Sequence, residues 1–141
     1  MKIRTAKIED LSALREIYYG SRVNHFTWMN KSLSLLDFDL ATAGEEVLLV
    51  EDNFEIIAFM SVYEPENFIH LLFVKPGREG QGIGGMLLAE LLRNQDRTVR
   101  LKCLLQNEGA RYFYEKHGFC IVREEVDDQD GPYYVMEIEG H

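Results

Sequence analysis

The passage from Phe68 to Asn94 constrains the fold of this chain more than any other. It opens with Phe68-Ile69-His70-Leu71-Leu72-Phe73-Val74, an apolar run with one polar residue. Such a run predicts a central strand buried on both faces of a sheet. Lys75 to Gln81 reads as a loop, and Gly82 to Asn94 as a helix with Ile83, Met86, Leu87, Leu91 and Leu92 turned inward. Glycines stand at 80, 82, 84 and 85, where the loop becomes the helix. Backbone without side chains lets a ligand approach closely. The unpaired N–H groups and positive dipole end of the helix point to the same place. That combination predicts an anion site suited to a phosphate or pyrophosphate. The glycines are too close together for a Walker A loop, and no Gly-Lys-Ser/Thr follows. Nor does an early strand lead to a ribose-binding acid, as a Rossmann dinucleotide site requires.

The rest of the chain supplies a sheet and further helices. Lys2 to Thr5 reads as a strand. Glu9 to Tyr19 reads as a helix, with Leu11, Leu14, Ile17 and Tyr18 on one face and Gly20 as its stop. Ser21 to Asn30 is aromatic-rich and irregular. Ser34 to Thr42 reads as a second helix. Glu46 to Glu51 and Glu55 to Tyr63 form a hairpin about Asp52-Asn53. Thr98 to Leu105 is a strand, Glu108 to His117 a helix capped by Asn107 and stopped by Gly118. Phe119 to Val126 and Tyr133 to Ile138 close the chain as a hairpin. The order β-α-α-β-β-β-α-β-α-β-β predicts an α/β (α+β) fold around a mixed sheet.

Composition narrows the function classes. The 141 residues fit one domain, over 1–138, and Glu139-Gly140-His141 reads as a tag-derived scar. No apolar run approaches the roughly 20 residues of a membrane span. The start of the chain lacks a signal-peptide pattern, so a cytoplasmic protein without a membrane partner is expected. The net charge of −9 argues against nucleic acid and is compatible with a cationic acceptor. Cys103 and Cys120 lie in apolar surroundings and read as buried reduced thiols. The cysteines and four histidines have no metal-ligand spacing, so no metal is expected.

Two segments carry a family resemblance. Val74-Lys75-Pro76, Arg78-Glu79 and Gly80-Gln81-Gly82-Ile83-Gly84-Gly85 resemble the acetyl-CoA signature of the GNAT acetyltransferases. Asn107-Glu108-Gly109-Ala110-Arg111-Tyr112-Phe113-Tyr114-Glu115-Lys116-His117-Gly118-Phe119 is similar to the later GNAT element Asn-x-x-Ala-x-x-Phe/Leu-Tyr-x-x-x-Gly-Phe, matched at every position. The resemblance implies a mostly antiparallel twisted sheet of about six to seven strands with about four helices, central strands splayed to admit CoA. It implies transfer of an acetyl group from acetyl-CoA to an amine in a ternary complex, without an acyl-enzyme. The acceptor would be a small molecule or a peptide, the assembly a monomer or homodimer.

The resemblance also implies residue roles. Gly80, Gln81, Gly82, Ile83, Gly84 and Gly85 would cradle the pyrophosphate. Glu79 departs from the pattern: the family's slot usually holds Arg or Gln, and Arg78 stands one place earlier. Leu72, Phe73 and Val74 would face the pantetheine with Asn107, and Tyr114 would protonate the departing thiolate. A phenol near ~10 can hydrogen-bond a thiolate whose thiol is near ~8.5. Period two puts Phe68, His70, Leu72 and Val74 on one face. His70 is then a candidate base or relay, with Glu64, Glu66 and water as alternatives; the family's usual Glu slot holds Phe68. The acceptor side would be built from the first helices and last hairpin, with Tyr19, Arg22, Phe26, Trp28 and Glu64 as candidates. The aromatics with Asp127, Asp128 and Asp130 form either a cleft for a cationic amine or an ordinary core and a solvated loop. A GNAT-like acyl-CoA sensor without turnover is the alternative reading.

Overall fold

The computed structural model describes residues 1–25, 33–93 and 95–140. β1 (Lys2–Thr5) leads through a short 3-10 turn into α1 (Leu11–His25). There follow α2 (Asp37–Ala41), β2 (Glu46–Asp52), β3 (Glu55–Tyr63), β4 (Phe68–Val74), α3 (Ile83–Arg93), β5 (Val99–Leu104), α4 (Glu108–Lys116), β6 (Cys120–Asp127) and β7 (Gly131–Ile138). The seven strands form one sheet in the order β1-β2-β3-β4-β5-β7-β6. All neighbours are antiparallel except β4 and β5. This is the mixed, mostly antiparallel architecture expected from the sequence.

Alternation along the strands divides the core into two. Leu49 and Phe59 pack with Leu14, Ile17 and Phe38 beneath α1 and α2. Their neighbours Val50 and Met60 pack with Ile83, Leu87, Leu88 and Leu101 beneath α3. β3 is the strand buried continuously, from Ile57 to Val62. β4 is central in the sheet but only half-buried from Leu71 to Val74, because one of its edges lies open. No described helix is long and apolar enough to cross a membrane.

Four local expectations are corrected. α1 does not stop at Gly20 but runs to His25. Ser21 and Arg22 are buried in that extension: the Ser21 hydroxyl donates to the Val74 carbonyl at 3.4 Å, and Arg22 pairs with Asp37 at 3.0 Å. These contacts outweigh the ~1 kcal/mol that glycine costs inside a helix. α2 begins three residues late, at Asp37. The Asp37 carboxylate accepts from the Ser34 N–H and the Ser34 hydroxyl from the Leu36 N–H, which holds the preceding residues as a turn. Cys120 is exposed, on the edge strand β6, whereas Cys103 is buried. Finally, Ser61 pairs with Leu71 but Val62 with Ile69, so His70 is the extra residue of a β-bulge. The bulge breaks the period-two face: Ile69, Leu72 and Val74 all pack into the α3-side core, while Leu71 and Phe73 pack towards α1.

Candidate active site

β4 and β5 pair through Phe68 with Arg100 and Ile69 with Leu101, and no further. Beyond that point β4 stays paired to β3 as far as Val74, and β5 to β7 as far as Leu104. The two strands therefore diverge as a fork. Between its arms the backbone edges have no strand partner, which suits them to hydrogen-bond an extended, amide-bearing ligand. The bulge at His70 falls where the fork opens.

On the α3 side of the fork lies a cavity of about 490 Å3, walled by Leu72, Val74, the loop and the facing side of α4. Gly80 and Gly82 both have positive φ, 79° and 77°, which an L side chain rarely adopts. A Cβ at either would meet nothing, so they expose bare backbone to open space. The first N–H groups of α3 have no intrahelical acceptor and Ile83, Gly84 and Gly85 line the same cavity. Lys116 adds a cation at its rim. These are the features an anionic phosphate requires. Gly84 and Gly85 have a second cause: a Cβ there would stand 3.1 Å from Phe113 Cζ and 2.8 Å from His117 Nε2. They let α3 and α4 approach. Gln81 is exposed and is not among the lining residues. Arg78 lines the cavity, but its guanidinium is held by Asp52 at 2.7 Å and Glu55 at 3.4 Å. Glu79 also lines it, with Oε1 accepting from the Gly77 N–H at 2.6 Å.

A smaller cavity of about 200 Å3 opens on the α1 side of the fork. Leu72, Ala110 and Tyr114 belong to both cavities. Tyr114 thus stands at their junction. Burial holds its phenol well above the ordinary tyrosine range, with Cys103 contributing, so it remains a proton donor at neutral pH. The α4 that carries it is capped by Asn107, whose Oδ1 accepts from the Ala110 N–H at 3.2 Å. Asn107 also lines the α1-side cavity and the groove along Leu72, Phe73 and Val74. Cys103 lines the smaller cavity too; burial pushes its thiol up to about 11.

The α1-side cavity gathers some of the expected acceptor residues and leaves others elsewhere. Arg22 and His70 line it, together with Tyr18 and Lys102. His70 Nδ1 lies 2.8 Å from Glu45 Oε2. With Nδ1 donating to that carboxylate, the neutral ring keeps its lone pair on Nε2. Tyr19 is exposed and is not part of the lining; its neighbour Tyr18 takes that place. Glu64 lies in a separate cavity with Glu46 and Glu90. There its hydrogen bond raises the Glu46 carboxyl above the ordinary range. Phe26 and Trp28 lie outside the described residues. Asp127 and Asp130 turn to Lys102, at 3.2 and 3.8 Å, rather than lining the cavity. Glu45 and Lys102 were not singled out in the sequence. Lys102, between apolar Leu101 and Cys103, carried a visible signal; Glu45 reaches its place only through the fold.

Three kinds of comparison bear on this geometry. The family model described as an acetyltransferase (GNAT) domain matches residues 43–121, more than half of the chain. A search of curated proteins finds no match. Among solved structures, a ribosomal-protein-alanine N-acetyltransferase from Brucella melitensis is 21% identical, with a TM-score of 0.75 over 99% of both chains. The Salmonella typhimurium protein yncA, solved with its cofactor acetyl-CoA, is 21% identical with a TM-score of 0.72, covering 99% of this chain and 93% of that one. A spermidine N-acetyltransferase SpeG variant from Vibrio cholerae is 16% identical with a TM-score of 0.71, covering 99% and 95%. The match over residues 43–121 spans the fork, the glycine loop and Tyr114, and the chain belongs to the GNAT acetyltransferase family, as an N-acetyltransferase whose cosubstrate is acetyl-CoA.

Proposed function

We propose that the chain transfers the acetyl group of acetyl-CoA to a primary amine by direct attack in a ternary complex. The observation that carries this reading is the position of Tyr114, shared by a phosphate-suited cavity on one side of the fork and a second cavity on the other. The pyrophosphate is assigned to Gly80, Gly82 and the first turn of α3. The pantetheine is assigned to the open edge at Leu72, Phe73 and Val74, beside Asn107. The amine enters from the α1 side. Its nitrogen forms the new bond to the thioester carbonyl carbon, and the carbon–sulfur bond breaks. Tyr114 donates a hydrogen bond to the departing thiolate and so lowers the barrier to its release, while the amine proton passes to His70 Nε2 directly or through water.

Phenylalanine at position 114 tests the reading. Tyr114→Phe is expected to lower kcat about 100-fold, the usual scale for a positioned general acid, while the Kd for acetyl-CoA stays within error. Unchanged kcat would remove Tyr114 from the chemistry. The competing reading, an acyl-CoA sensor, is favoured by the carboxylate of Glu79 at the cavity wall. Micromolar binding of acetyl-CoA with no turnover of any amine would support it.

A further inference from the structure

The α1-side cavity is basic in an acidic chain. The sequence has 24 Asp and Glu against 15 Lys and Arg. Yet the described residues lining this cavity include Arg22, His70 and Lys102 and no carboxylate.

Each of these three side chains has a carboxylate partner outside the lining, which for His70 is Glu45 at 2.8 Å. Arg22 bonds Asp37 through one nitrogen at 3.0 Å, and its guanidinium lies 4.6 Å from the Tyr18 ring centre. A guanidinium has five N–H donors, and among the described residues this bond takes one of them. Lys102 is oriented from the hairpin side by Asp127 and Asp130, 3.2 and 3.8 Å away, and lies 4.4 Å from the Tyr133 ring centre. Asp127 is itself fixed by the N–H groups of Gln129 and Asp130 at 2.8 and 3.0 Å. An anion that reached both Arg22 and Lys102 could accept from the donors that the described carboxylates leave over. The volume, about 200 Å3, is below the ~300–1,000 Å3 of drug-sized sites.

We propose that the acceptor is a small amine bearing its own anionic group, a carboxylate or phosphate, which Arg22 and Lys102 hold while the nitrogen faces Tyr114. This rests on the acetyl-transfer reading and narrows its acceptor class. Neither a polyamine nor an internal stretch of peptide has that anion beside its amine.

The test is kcat/KM at saturating acetyl-CoA for each of the twenty L-amino acids against its carboxamide, for phosphoethanolamine against ethanolamine, and for spermidine. At least one anionic amine is expected to exceed its neutral counterpart by about tenfold or more. The carboxylate and phosphate arms tell the two sources apart. Lys102→Gln is expected to bring that ratio down towards one, chiefly through KM. Arg22→Lys, which keeps the charge but loses the planar fork, is expected to lower it as well and serves if Lys102→Gln fails to fold. Preference for the carboxamides, ethanolamine or spermidine overturns the inference and leaves acetyl transfer standing. So does a ratio unchanged in both variants. No turnover of any of these amines overturns the inference; absence of acetyl-CoA binding as well overturns the acetyl-transfer reading with it.

Discussion

Gly85 and His117 are in such close register that a Cβ on Gly85 would stand 2.8 Å from His117 Nε2. The ring cannot swing away freely. Its Nδ1 lies 2.8 Å from the Phe113 carbonyl, and its centroid lies 4.5 Å from that of Phe113. Gly85→Ala therefore pushes α3 from α4 along the wall of the phosphate-suited cavity. Urea unfolding should show a loss of about 1–3 kcal/mol, despite the better helix propensity of alanine. Gly109→Ala is the control, since a Cβ there meets nothing; in the helix it should gain up to ~1 kcal/mol. Equal stability of the two variants would show that the helices have room to part.

Glu79 places a carboxylate at the wall of the cavity assigned to the pyrophosphate. One oxygen caps the loop by accepting from the Gly77 N–H, and the side chain is exposed. Repulsion between exposed charges ~4 Å apart amounts to about 1 kcal/mol. Glu79→Arg should accordingly tighten acetyl-CoA about fivefold in calorimetry, with the gain shrinking as salt is raised. Unchanged or weaker binding would mean that the loop needs the Gly77 bond more than it suffers from the charge.

The parts of the site legible in the sequence are those whose cause is local. Positive φ at Gly80 and Gly82, the Asn107 cap and the left-handed stop at Gly118 each demand particular residues within a few positions. The parts that escaped depend on distant segments. The bulge at His70 is a mismatch between β3 and β4, invisible to a period-two count along β4 alone. Extension of α1 past Gly20 depends on Asp37 and Val74. The basic lining emerges only when α1 and β5 bring Arg22 and Lys102 to one cavity, against the sign of the net charge.

Cys103 lies on the wall of the α1-side cavity beside Tyr114, where a nucleophilic thiol would suggest an acyl-enzyme. Its surroundings argue otherwise. Desolvation pushes the thiol up to about 11, so at neutral pH it is almost entirely protonated, and the thiolate is the nucleophile. Cys103→Ala should retain kcat within about threefold, the change reflecting lost packing at a buried position. Mass spectrometry after incubation with acetyl-CoA should show no acetylated Cys103. A covalent adduct formed at the rate of turnover would replace direct attack by a two-step mechanism.

Arg4 and Asp10 anchor the start of α1 to the sheet, and with it the helix that presents Tyr18 and Arg22. Two nitrogens of Arg4 donate to the two oxygens of Asp10 at 2.8 and 2.9 Å, while the Lys7 N–H donates to Oδ2 at 2.7 Å. Asp10 is buried, and the Arg4 hydrogen bonds hold its carboxyl below the usual carboxylate range. A depressed folded-state pKa stabilises the fold above the unfolded value, near ~3.9, and the contribution is lost as pH falls through the folded pKa. Asp10→Asn should lower stability by about 2–3 kcal/mol at pH 7, because Arg4 loses its bidentate partner. The gap to the parent chain, followed by urea unfolding, should narrow as pH falls below ~4. A gap independent of pH would mean that the side chain's shape, rather than its charge, holds α1 in place.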